Sequence, residues 1–140
     1  MNPFNLHSNP EQLDRYNDRL KVPELAYEYA EERGWPVPEV EQYIMKDPMW
    51  AVEYAYTILN KCRWPEAEPY IMKDPQWAYE YARFVIESRW PEAEPYIMKD
   101  PQWAYRYAFY VLQSRWPEAE PYIARDPKFW KNYNQVMGIE

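Results

Sequence analysis

Paired carboxylates recur along this chain at Glu66/Glu68, Glu92/Glu94 and Glu118/Glu120. Two acids at such spacing are the raw material of general acid–base catalysis or of a hard-cation site. Catalysis needs further groups, and no His, Cys or Ser constellation repeats beside these pairs. One His (His7) and one Cys (Cys62) cannot assemble the usual zinc ligand set or an internal disulfide framework. Ser8, Ser88, Ser114 and Thr57 are too scattered to suggest a nucleophile. The expectation is therefore no catalytic residue, no metal and no cofactor, hence no enzyme. At the start of a helix the same acids interact favourably with the helix dipole, by about 0.3–1 kcal/mol. Arg63, Arg89 and Arg115, with Lys73, Lys99 and Arg125, can complete surface ion ladders beside them.

Composition narrows the classes further. The 140 residues include 8 Trp, 15 Tyr and 4 Phe, together with 15 Pro and only 2 Gly. Folds built on glycine turns, including dinucleotide and phosphate loops, have almost nothing to be made from. Proline at this density often marks disorder, yet 47% of the residues are hydrophobic and the Trp and Tyr are regularly spaced. A packed core follows. The net charge of −7 disfavours nonspecific binding to phosphate backbones. Met1 to Pro10 lacks the basic and apolar regions of a signal peptide, and no apolar run approaches a membrane span. A cytoplasmic protein is the expectation, with residues 1–8 a flexible leader and no contact with membrane.

The positions of Trp and Pro reveal a period. Trp64-Pro-Glu-Ala-Glu-Pro-Tyr-Ile71 recurs identically from Trp90 to Ile97 and from Trp116 to Ile123, 26 residues apart each time. A fourth copy runs from Pro38 to Pro48, offset by 27 from Pro65 to Pro75. An eroded fifth is visible where Pro23 to Ala30 parallels Pro75 to Ala82. Five units result, at about 9–36, 37–63, 64–89, 90–115 and 116–140.

Each unit reads as two helical segments. Asp47-Pro48, Asp74-Pro75, Asp100-Pro101 and Asp126-Pro127 place a capping acid before a proline that opens a helix. Behind Pro75, the residues Trp77, Ala78, Tyr81, Ala82 and Val85 form a helical apolar stripe. The first segment, Pro65 to Lys73, carries Pro69 internally and supports one or two turns, with a 3₁₀ start. Units of 26 residues bury no core alone, whereas stacked units share one. The expected fold is all-α, a single domain over 1–140 forming a right-handed α-solenoid of about five helix-turn-helix repeats with capping end units. In the last unit Trp130, Lys131 and Asn134 replace Ala104, Tyr105 and Ala108, a bulky and polar set suited to a cap. The first unit is strongly charged, as caps are. Trp64, Trp90 and Trp116 are expected to anchor the core.

The strings RWPEAEPYIMKDP and DPQWAYEYA resemble short tandem helical repeats of bacteriophage and large DNA virus proteins. The likeness is strong over about residues 37–127 and weak at the ends. It implies a viral or phage origin and supplies no catalytic or binding residues.

Positions that vary between units on the outer face of the second helix are the candidates for a site. Stacking aligns Glu53, Glu80, Arg106 and Asn132 in one row, and Tyr56, Arg83, Phe109 and Gln135 in another. Arg83 is expected to lie between two aromatics of its row in a cation–π strip. Tyr56, Glu80, Arg83, Glu87, Arg106, Phe109, Tyr110 and Gln113 are the expected partner-binding residues, since exposed aromatics and Arg make interface hot spots. The alternative is that these side chains only pack against their neighbours. The leading expectation is a non-catalytic module, monomeric or weakly oligomeric, that binds and inhibits a host protein in the host cytoplasm. A bacterial defence component, in the manner of anti-CRISPR inhibitors, is one such target. One alternative is a small-ligand binder with Tyr and Trp stacking on a nucleotide or sugar, which requires Arg83, Arg89, Arg106 and Arg115 to converge. A second is an acidic nucleic-acid mimic, in which Glu rows stand in for phosphates.

Overall fold

The computed structural model describes residues 17–139. The expected leader, with His7, and the opening of the first unit lie outside the described residues. The described chain is all-α, with no strand in it. Long helices α1 (Pro23–Arg33), α3 (Pro48–Thr57), α5 (Pro75–Tyr81), α7 (Pro101–Tyr107) and α9 (Pro127–Met137) alternate with short α2 (Pro38–Ile44), α4 (Glu68–Ile71), α6 (Glu94–Ile97) and α8 (Glu120–Ile123). Each long helix packs on the next, and each short helix packs between the two that flank it in sequence. No helix among the described residues is long and apolar enough to cross a membrane.

Proline and aspartate set where these helices begin. Pro occupies the first position of every long helix, where its missing N–H costs no hydrogen bond. The Asp74 carboxylate accepts from the backbone N–H of Gln76 (3.0 Å) and Trp77 (3.2 Å), and Asp100 and Asp126 repeat this at α7 and α9. Three of the short helices, α4, α6 and α8, begin later than the sequence suggests. Residues 65–67 form a turn, so Glu66, Glu92 and Glu118 precede their helices while Glu68, Glu94 and Glu120 open them.

The C-terminal ends of the long helices depart from expectation. α5 and α7 continue into π turns, Ala82–Ile86 and Ala108–Leu112, which end in left-handed residues Glu87 (φ 57°) and Gln113 (φ 52°). Both glycines do the same work, Gly34 after α1 and Gly138 after α9. Left-handed backbone thus ends each of these four helices, at two glycines and at two residues that are not glycine. A non-glycine residue held there costs about 1–2 kcal/mol. After α3 the extra residue of the 27-residue spacing is absorbed by two left-handed steps, Asn60 (φ 54°) and Lys61 (φ 60°).

The expected stripe forms the core: Ala78, Tyr81, Ala82 and Val85 are buried, and Trp77 is half-buried. Trp64, Trp90 and Trp116 are buried as expected, at 4%, 1% and 2% exposure. Tyr79 is also fully buried, although the helical spacing did not include it in the stripe. At the C-terminal end Trp130 lies parallel to Tyr133, with ring centroids 5.7 Å apart.

Candidate functional site

The paired acids have two different fates. Glu94 is buried, and both its oxygens are held by Arg89, at 2.7 and 2.8 Å. Its Oε1 also accepts from the Tyr107 hydroxyl (2.9 Å), which in turn accepts from the Trp90 backbone N–H (2.7 Å). Arg63, Glu68, Tyr81 and Trp64 build the same relay, as do Arg115, Glu120, Tyr133 and Trp116. Glu41, Tyr54 and Val37 form a version without arginine, Pro36 standing where the others have Arg.

The tyrosine at the centre of each relay also joins neighbours. The Tyr81 ring lies 5.0 Å from Trp90 and the Tyr107 ring 5.0 Å from Trp116, each the anchor of the following copy. One residue thus satisfies the backbone of its own copy and packs on the next. Burial first, then the adjacent glutamates, push the Tyr54, Tyr81 and Tyr107 phenols well above the usual tyrosine range. Glu68, Glu94 and Glu120 are each paired with an arginine. Among the described residues, no group of three or more acidic, His or Cys side chains is arranged to hold a metal. Cys62 is exposed and reduced.

A different set of side chains faces solvent. Tyr56, Phe84, Phe109 and Tyr110 are each 38–43% exposed on the C-terminal halves of the long helices and their π turns. They are linked edge to face. Tyr56 meets Phe84 at 6.4 Å and 81°, and Phe109 meets Tyr110 at 4.7 Å and 83°. The Arg83 guanidinium joins the two pairs, 4.7 Å from the Phe84 ring and 4.0 Å from the Tyr110 ring. It also donates to the Tyr79 hydroxyl at 2.7 Å.

Of the predicted site residues, Tyr56, Arg83, Phe109 and Tyr110 belong to this linked set, with different partners from those expected. Arg83 sits between Phe84 and Tyr110, and not between Tyr56 and Phe109 of its own row. Arg83 instead reaches the ring of its chain neighbour Phe84 and that of Tyr110 on the following π turn. Tyr56 and Glu80 line one cavity, and Phe109, Tyr110 and Gln113 line another with Val136 and Met137. Arg106 lies over the Trp103 ring at 5.2 Å. Glu87 is an exposed left-handed cap 3.8 Å from the Lys61 ammonium. Phe84, absent from the expected set, is central to the face, and its signal was the aligned aromatic Tyr110 one period later. Trp35, 62% exposed beside a separate cavity bounded by Pro36 and Pro38, was also missed.

Arg83, Arg89, Arg106 and Arg115 do not share a cavity in the places described. Arg89 and Arg115 are engaged with Glu94 and Glu120, and Arg83 and Arg106 lie over rings. The cavities beside Tyr56, Phe109 and Trp35 contain none of the four.

An all-α chain with a solvent-facing aromatic and arginine strip is the class that fold and site define. Compared with family models, curated proteins and solved structures, it matches none.

Proposed function

We propose that the chain is a non-catalytic interaction module: a right-handed α-solenoid of five units, capped at both ends, that presents its aromatic face to a partner protein. The observation that carries this reading is the unbroken run Tyr56, Phe84, Arg83, Tyr110 and Phe109, in which a half-buried cation links two pairs of exposed rings. Aromatic and Arg side chains of this kind supply most of the energy of protein interfaces. Isolated on a surface, so much aromatic area is disfavoured in water unless something covers it. The 26-residue sequence period and the packing of each long helix on the next support the solenoid.

The partner is a host protein, and binding inhibits it; a component of bacterial defence fits this role. Support for that part comes from the resemblance to tandem repeats of phage and large-virus proteins. The test is affinity purification from bacterial lysates with the wild-type chain and with an Arg83→Glu/Tyr110→Ala variant. A protein retained by the former and lost at least about tenfold by the latter supports the reading, since tenfold is about 1.4 kcal/mol, within the range of one hot spot. A bound protein retained equally by both overturns the assigned face. Deletion of residues 64–89 tests the solenoid independently, because removing one whole unit leaves a shorter, cooperatively folding protein.

A further inference from the structure

The contact between α3 and α5 leaves a cavity of about 330 Å³ where the equivalent contact between α5 and α7 carries different side chains. Two substitutions at aligned positions make it. Where α5 has Tyr79, fully buried with its ring 5.5 Å from Trp103, α3 has Val52. Where α5 has Arg83, lodged among the rings of Tyr79, Phe84 and Tyr110, α3 has Tyr56. The cavity is walled by Tyr56, Trp77 and Phe84, and Tyr56 and Phe84 stand nearly perpendicular.

Charge follows the same division. Between α5 and α7 the aligned charged positions hold Glu80, Arg83 and Arg106, whereas between α3 and α5 the lining holds Glu53 and Glu80 and no base. Neither carboxylate accepts a hydrogen bond or forms an ion pair among the described residues. The remaining polar group, the Thr57 hydroxyl, is used: it donates to the Glu53 carbonyl at 2.7 Å and shares a hydrogen bond with Tyr27.

We infer that this cavity is a receptor for an arginine side chain of the partner protein, whose guanidinium stacks on Tyr56, Trp77 and Phe84 and pairs with Glu53 and Glu80. The chain's own Arg83 is the precedent. One period away, a guanidinium lies 4.0 Å from one ring and 4.7 Å from another. Cation–π attraction strengthens as the cation is desolvated, and a planar guanidinium is the cation best suited to stacking. Burial, reinforced by Glu53, raises the Glu80 carboxyl above its usual range, while Arg83 and Arg106 oppose that shift. An arriving cation meets two carboxylates and no base in the lining itself, with Lys61, Arg83 and Arg106 beyond it. Lys61 lies 5.4 Å from the Tyr56 ring, so this ring already attracts a cation of the chain itself.

This inference rests on the aromatic face being a partner surface, and its test needs no partner. N-acetyl-arginine methylamide is titrated into the full-length chain while the indole N–H of Trp77 is followed by NMR. The expected result is saturable movement of the Trp77 signal, absent with the corresponding norleucine compound and weaker with the lysine compound. Val52→Tyr restores the aligned residue, fills the cavity and abolishes binding while the melting temperature holds or rises. Glu80→Gln weakens binding about tenfold, and acidification weakens wild-type binding at a higher pH than an ordinary carboxylate would. No saturable shift, an equal shift in Val52→Tyr, or equal response to the norleucine compound each overturn the receptor. If those results come with a partner lost on Arg83→Glu/Tyr110→Ala substitution, the receptor fails and the interaction face stands.

Discussion

The contacts α3/α5 and α5/α7 share one inner face and differ on the outer one. Inside, Tyr54 packs on Trp64 at 4.8 Å and Tyr81 packs on Trp90 at 5.0 Å, each tyrosine also bonding a backbone N–H 17 residues earlier. Outside, Tyr79 and Arg83 close one contact, while Val52 and Tyr56 leave the other open and acidic. Packing that is buried tolerates little variation, because a lost ring leaves a void and an orphaned donor. Tyr79 is itself buried, so Val52 in its place opens the cavity, while the partly exposed Arg83 and Tyr56 differ without disturbing the tyrosine–tryptophan packing.

The sharpest way to break this comparison is through the shared inner face. Trp64→Ala and Trp90→Ala should each cost about 3–5 kcal/mol, read as a large fall in melting temperature. Equal losses are expected, since both indoles are almost fully buried beneath a tyrosine. A small loss at either one would mean that the two contacts are not built alike. Next in size, Tyr79→Val copies the open contact into the closed one. It removes a buried ring and the hydroxyl that Arg83 bonds, for an expected loss of about 2–4 kcal/mol in chemical denaturation. A neutral outcome would show that Tyr79 does not fill its site.

The smallest effect concerns alkaline pH. Tyr54, Tyr81 and Tyr107 have phenols raised by burial, so between about pH 10, where unfolded tyrosine ionises, and their folded values the native state retains more protons than the unfolded one. Stability is fully present below about pH 10 and falls as pH rises above it. Tyr81→Phe should lower stability at neutral pH, by orphaning the Trp64 N–H, yet flatten the alkaline slope by one group's share. An unchanged slope would remove Tyr81 from the buried set.

Much of this was legible before any coordinates. Asp74-Pro75 marked a helix start because capping and proline geometry are local, and Trp90 marked the core because it recurs unchanged at a fixed period. The stripe from Trp77 to Val85 was read correctly except at Tyr79, whose burial depends on Trp103 of the next long helix. Spacing places Arg83 on the outer face, but its ring partners Phe84 and Tyr110 are set by how one copy meets the next and not by its row. Glu66 and Glu68 looked like an equivalent pair. One precedes the helix while the other is clamped by Arg63 and Tyr81, five and thirteen residues away.

The sequence by itself determined the period, the starts of the long helices and the tryptophan anchors. Those features rest on neighbours along the chain or on identity between copies. Only the tertiary structure decided which rings meet Arg83, which acids pair with arginine and which contact is left open. Each of these depends on how one copy sits against the next: Val52 is an unremarkable helix residue until Trp77 stands opposite it with no tyrosine ring between them.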